Sequence, residues 1–244
     1  MSKRDATSKQ PSLVALRREM AAAADPAKAK ALAGYFKTGK GQYGEGDVFI
    51  GLMVPASRRI AARYADLGFG DVERMLASKV LEERLIALLM LVRRFQHGDE
   101  AMKKRVFDFY LAHADRANNW DLVDLSAHKI VGAWLADRPK GLLTSLAKSR
   151  NLWRRRIAVV STFAFIRDGR FAESFRVADL LMRDGHDLIH KATGWMLREV
   201  GKCDKAALVA FLKPRYWTMP RTMLRYAIER FPEAERKRYL AGKV

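Results

Sequence analysis

Five apolar segments with helical spacing recur along this chain at nearly constant intervals. They begin near Arg84 (RLIALLMLVRRF), Asp121 (DLVDLSAHKIVGAWL), Arg154 (RRRIAVVSTFAFI), His190 (HKATGWMLREV) and Arg221 (RTMLRYAIERF). Successive starts differ by 37, 33, 36 and 31 positions, by subtraction of those numbers. Weaker amphipathic stretches lie between them, at Met102–Ala112, Pro139–Lys148, Ser174–Met182 and Lys205–Leu212. Two helices per unit of roughly 35–45 residues is the pattern of a helical solenoid, in which no unit buries its apolar face without its neighbours. Segments that alternate apolar and polar residues, as strands do, are nearly absent. The expected fold is therefore all-α: a curved solenoid of HEAT-like antiparallel helix pairs, an α-α superhelix. In such arrays the second helix of each pair lines the concave face, so the five strong segments are expected to share one surface.

Local signals agree with that reading. Asp25-Pro26 looks like an N-cap with proline in the first turn, and Val54-Pro55-Ala56-Ser57 opens another helix in the same way. Gly39 to Gly46 forms a polar, glycine-rich break. Gly39-Lys40-Gly41-Gln42-Tyr43-Gly44 fits G-x-G-x-x-G, but it follows a helical segment and no βαβ unit surrounds it, so it reads as a connector. No linker interrupts the rest. Residues 1–11 are expected to be a basic disordered tail, and 12–244 a single helical-repeat domain.

Charge sets the partner class. The chain has 46 Lys+Arg against 27 Asp+Glu, a formal net charge of +19. Such an excess favours phosphate backbones through counterion release. It also suits anionic membranes, but no apolar run approaches the roughly 20 residues that span a bilayer. The cations are spread along the whole chain, unlike those of one interfacial helix. The start MSKRDATSKQ has no apolar core and does not read as a secretory signal. The single cysteine, Cys203, excludes an internal disulfide and a cysteine-based zinc site, and suits a reducing cytosol. The five histidines, at 97, 113, 128, 186 and 190, show no ligand spacing with carboxylates and read as surface or phosphate-facing residues. No cofactor or metal is expected.

Three tryptophans sit near the starts of similarly spaced helices: Trp120, Trp153 and Trp195. Trp120 and Asp124 are four apart and so share one helix face. Asp121 suits a cap or first-turn acid. Asp124 lies a turn further in, between Val123 and Leu125, where an ion pair with a neighbouring arginine is the ordinary explanation and a catalytic carboxylate the sharper one. Arg154-Arg155-Arg156 sweeps round a helix, so one or two of the three can face a common target, and the helix N-terminus behind them favours an anion. Trp195, in GWMLRE, is by default a core residue.

Five stretches in series resemble the DNA alkylation repair family, the AlkD-like alkylpurine DNA glycosylases. They are FIGLMVPASRR (Phe49–Arg59), NWDLVD (Asn119–Asp124), NLWRRRIAVVS (Asn151–Ser161), IHKATGWMLREVGK (Ile189–Lys202) and MPRTMLRYAIERF (Met219–Phe231). The resemblance implies a monofunctional glycosylase that excises positively charged N3- or N7-alkylated purines from duplex DNA and leaves an abasic site. It implies Asp124 as the carboxylate, Trp120 and Trp195 as sugar-contacting rings, and Arg156 at the flanking phosphate. Arg154, Arg155, Lys191, Arg221 and Arg225, on the presumed inner helices, are the expected DNA contacts. The expected partner is double-stranded DNA with alkylated bases, bound by a cytoplasmic, nucleoid-associated monomer with no obligate protein partner. Two other readings stay open: a non-catalytic helical-repeat protein that binds damaged or branched DNA, and a protein scaffold for a very acidic partner.

Overall fold

The structure, a computed structural model, describes residues 12–244. The expected tail at 1–11 lies outside the described residues. All regular structure among the described residues is helical, apart from one isolated parallel bridge between Val48 and Val80. Chain packing divides the molecule into two compact units that meet in sequence between Arg94 and Phe95, inside one helix.

The first unit contains α1 (Leu13–Ala22), α2 (Pro26–Tyr35), α3 (Val54–Arg63), α4 (Phe69–Leu76) and most of α5 (Leu81–His97). Asp25 caps α2 as its position before proline predicts, with Oδ1 accepting from Ala27 N and Lys28 N, each at 3.1 Å. Buried Glu82 closes the loop before α3, its Oε1 accepting from the amides of Ile50 (3.1 Å), Gly51 (2.9 Å) and Leu52 (3.2 Å). A buried Arg84–Asp47 pair at 2.5 Å fastens the same loop to α5. Phe49 stacks on Phe36 at 5.1 Å. The FIGL stretch is thus held by structural contacts. The glycine-rich segment at 39–46 is a run of turns between α2 and that loop, as a connector should be.

The second unit is a two-layered array. One layer is made of α7 (Trp120–Ala127), α10 (Leu152–Ser161), α13 (Asp187–Cys203) and α15 (Arg221–Ala227), each packed on the next. These helices begin 32, 35 and 34 residues apart, by subtraction of their first residues. The other layer includes α9 (Gly141–Ala147), packed on α10, α12 (Ala172–Leu181), packed on both α9 and α13, and α14 (Lys205–Leu212), packed on α13. α6 (Glu100–Ala112) precedes α7, the short helices α8 (Ala133–Leu135) and α11 (Phe163–Ile166) prolong α7 and α10, and α16 (Glu233–Leu240) follows α15. Apolar side chains from both layers form the core, including Val123, Ile157, Val160, Ile189, Leu197, Leu208 and Leu224.

Close contact between α13 and α15 depends on Gly194. A Cβ there would lie 2.4 Å from Met223 O and 2.5 Å from Tyr226 Cβ, so only glycine lets these helices approach as they do. α7 has a second peculiarity. It passes at His128–Gly132 into a π-helical segment before α8, a local widening often found at functional sites.

Candidate active site

The candidate residues come from α7, α10 and α13, three neighbouring helices of the first layer. Each of those helices starts at a side-chain cap: Asn119 accepts from Trp120 N, Asn151 from Trp153 N and Arg154 N, and His186 from Leu188 N. Asp121 is therefore the first-turn acid of α7, and Asn119 its cap. On α10 the cap has a further consequence. Asn151 Oδ1 already takes two of the amides that an anion at this helix start would use.

Asp124 does pair with an arginine, and that arginine is Arg156. Nε donates to Oδ1 at 2.9 Å and Nη2 to Oδ2 at 2.7 Å, the fork-on-carboxylate geometry of an ionised pair. Nη1 donates to Leu188 O at 2.6 Å, so one guanidinium ties α7, α10 and α13 together. The Arg156 side chain is 5% exposed and that of Asp124 is 17% exposed. This corrects the expectation for Arg156: the guanidinium is buried and committed, and its role here is to position Asp124, not to reach a phosphate. Two forces act on the carboxyl. Burial pushes its pKa above the ordinary 3.8, while the charge and hydrogen bonds of Arg156 pull against that rise. The carboxylate is held firmly, and one part of it still meets solvent.

Beneath it, Ser126 Oγ donates to Leu122 O at 2.6 Å and lies 3.0 Å from Tyr110 Oη. With its only hydrogen so engaged, Ser126 accepts from Tyr110, which joins α6 to α7. Burial raises the pKa of that phenol, which stays neutral.

An aromatic line leads from Asp124 to Trp195. His128 stands one turn after Asp124 and meets Phe163 edge-on at 5.3 Å, and Phe163 lies 6.2 Å from Trp195. Burial depresses the imidazole pKa to about 4, so it is neutral at pH 7, and its Nδ1 is buried without a hydrogen-bond partner. His128 was read from sequence as a surface residue. It is a half-buried aromatic wall, because the π-helical segment packs it against Phe163. Trp195 is half-buried too, with Nε1 donating to Glu199 Oε1 at 3.1 Å. Lys202 anchors that glutamate at 2.8 and 2.9 Å. Trp120, the first residue of α7, is half-buried one turn before Asp124. Trp153 is 8% exposed and belongs to the core.

The expected phosphate contacts separate into two groups. Arg155 is drawn inward, bonded to Asp184 Oδ2 at 2.6 Å and to the carbonyls of Ser149 (3.0 Å) and Arg150 (2.9 Å). Like those of Arg156, the donors of this expected DNA contact are used by the fold. Arg154 is more accessible and pairs with the exposed Asp115 at 2.7 Å, an interaction that lowers the Asp115 pKa. Lys191 pairs with Asp187 at 2.7 Å, one turn earlier on α13. Arg221 and Arg225 are exposed on α15, Arg221 reaching Leu240 O. Among the described residues no group of three or more His, Cys, Asp or Glu side chains could hold a metal ion, and no helix is long and apolar enough to cross a membrane.

Fold and site together define a basic, all-helical protein with an arginine-anchored, partly exposed carboxylate one helical turn after an indole. The sequence profile of the DNA alkylation repair enzyme family matches residues 16–231. The chain belongs to that family, whose business implies DNA as the partner. The fold is also that of a solved structure described as a predicted DNA alkylation repair enzyme from Enterococcus faecalis, at a TM-score of 0.65 and 16% identity. The similarity covers 86% of this chain and 97% of the other. Comparison by sequence with curated proteins finds no match.

Proposed function

We propose that this DNA alkylation repair enzyme is a monofunctional N-glycosylase acting on positively charged N3- or N7-alkylpurines in duplex DNA. The observation that carries the reading is the Asp124 carboxylate, locked by Arg156 yet 17% exposed, with Trp120 a turn before it. Alkylation at N3 or N7 gives the purine a formal positive charge. When the C1′–N9 bond breaks, its electron pair neutralises that charge, so the base leaves without a proton from the enzyme. The chemistry left to the protein is to stabilise a cationic sugar and to guide water to C1′, and a carboxylate can do both. The water gives up a proton as it adds, leaving an abasic site. The indole faces of Trp120 and Trp195 add cation–π attraction of about 0.5–2 kcal/mol each.

Neutral His128 fits this chemistry as wall, not acid. Neutral lesions need a proton donor on the base, and the cluster around Asp124 offers no poised one. Arg154, Lys191, Arg221 and Arg225 are the cations proposed to follow the phosphates of undamaged flanking DNA. Pairing of Arg154 and Lys191 with exposed acids is no obstacle, since such surface pairs are worth about 0–1 kcal/mol and exchange readily for phosphate. A cytoplasmic, nucleoid-associated monomer that needs no protein partner completes the proposal.

One observation favours a second reading, a non-catalytic binder of damaged or branched DNA. Asp124 already has a full arginine partner, which is enough to explain a purely structural carboxylate. Incubation of purified protein with methylated duplex DNA separates the two. The glycosylase reading expects release of free 3-methyladenine or 7-methylguanine, and no release of uracil or hypoxanthine from matched substrates. Binding without any base release overturns it in favour of the second reading.

A further inference from the structure

Trp217 is the most exposed tryptophan, and nothing in the candidate site uses it. It lies in the turns between α14 and α15, 69% exposed. The ring is nevertheless held in place. Its six-membered ring rests on Gly242, where a Cβ would come within 2.7 Å, and Gly242 has a φ of +71° that suits glycine alone. Tyr216 supports it from the side at 4.8 Å, and Tyr216 is itself buried, donating to Val244 O at 2.9 Å and packed edge-on to Tyr239 at 5.6 Å. One exposed apolar side chain is ordinary on a protein surface; what sets this ring apart is that Gly242 and Tyr216 fix it while its outer face stays open.

Four unmatched cations lie on the segments that hold the ring. Lys213 opens the same run of turns, Lys243 follows Gly242, Arg238 Nε donates to Lys243 O at 3.4 Å, and Arg221 reaches Leu240 O. All four are exposed, and none of them pairs with a carboxylate among the described residues. Other cations of the second unit, such as Arg154, Arg198 and, in the same turns, Arg215, are matched by acids. The patch is therefore a fixed aromatic platform with four unmatched cations on the segments beside it.

We propose that this patch is a second nucleic-acid contact, taking an unpaired or single-stranded nucleotide by stacking its base on Trp217 and holding its phosphates with Lys213, Arg221, Arg238 and Lys243. A π-face accepts any base, and a ring fixed beforehand loses little freedom on binding. In a duplex the bases are stacked on each other and cannot reach such a ring, so the patch selects single-stranded character near the lesion or at an end. The proposal shares with the glycosylase reading the premise that the partner is nucleic acid, and one cation, Arg221. It does not depend on Asp124.

The test is titration of the full chain with a short oligothymidine, followed by tryptophan fluorescence and repeated at several salt concentrations. Wild type should show quenching and an affinity that falls with salt. Trp217→Ala should weaken oligothymidine binding about tenfold, as loss of one stacked base predicts, with duplex affinity within about twofold and an unchanged melting temperature. Trp217→Phe should recover most of the loss. Asp124→Asn should bind oligothymidine as wild type does, so base release can fail while this result stands, and the reverse. Equal oligothymidine affinity in wild type and Trp217→Ala overturns the proposal. So does Trp217-dependent binding to anionic phospholipid vesicles with no effect on oligothymidine, since the patch would then face a membrane.

Discussion

Asp124 illustrates how a residue can satisfy two explanations at once. A buried arginine holds it, which is what most such carboxylates do, and the same bond fixes it at the edge of solvent. Both halves of that statement have consequences for pH. Burial raises its pKa from 3.8, so the ionised form is lost at a higher pH than for an ordinary aspartate as acid is added. If the ionised form is the reactive one, base release is full above the folded-state pKa and falls as pH drops through it. The acid limb of the rate profile should therefore lie above pH 3.8, a result that single-turnover rates across the acid range can check. The tryptophans divide in the same way between reaction and packing. Trp195→Phe keeps an aromatic face and should retain part of the activity. Trp195→Ala should lose more, with a small change in melting temperature, because the ring is only half-buried. Trp153→Ala removes a core ring and should cost about 3–5 kcal/mol, visible as early thermal unfolding. If Trp195→Ala unfolds like Trp153→Ala, Trp195 is a packing residue.

At the scale of elements, α5, α7, α10, α13 and α15 were readable because a 3.6-residue apolar period survives in them, whereas the largely charged α16 carries none and was not read. The weak segment at Lys205–Leu212 has the same limits as α14, and Asp25-Pro26 and Val54-Pro55 mark helix starts because capping and proline chemistry are local. The site was readable in part. Trp120 and Asp124 share a face by spacing alone, whereas the roles of Arg155 and Arg156 depend on which neighbours they meet across helices. No local pattern reports that an arginine in a run of three is buried. The π-helical segment after Asp124 was also invisible, since it is a shift of hydrogen bonds with no composition of its own, and with it went the placement of His128. Trp217 was missed because it lies in turns, outside the periodic segments. Helix spacing also makes a prediction. Gly194→Ala puts a methyl against Met223 O and Tyr226 Cβ, forcing α13 from α15. Overpacking of this kind costs about 1–3 kcal/mol or more, and a melting curve would show it. It should also lower base release in the protein that stays folded, because Trp195 is the next residue. Wild-type stability and activity in Gly194→Ala would mean that the helices yield without moving the ring.

For the whole molecule, charge and periodicity gave partner class and fold class, and neither changes at the boundary between the two compact units at Arg94/Phe95. It falls within α5, a continuous apolar helix, where composition does not change. A net charge of +19 serves DNA affinity and says nothing of chemistry. The central claim is therefore tested by separating binding from reaction in one variant. Asp124→Asn keeps the size of the side chain and one acceptor for Arg156 while removing the negative charge opposite a cationic sugar. The measurement is single-turnover release of 7-methylguanine from methylated duplex DNA, with DNA affinity measured on the same samples. Loss of one well-placed electrostatic partner should slow release by about 100-fold or more, with affinity equal to or slightly above that of wild type. Release at the wild-type rate by a folded, DNA-bound Asp124→Asn protein would contradict the account and leave Asp124 as a structural partner of Arg156.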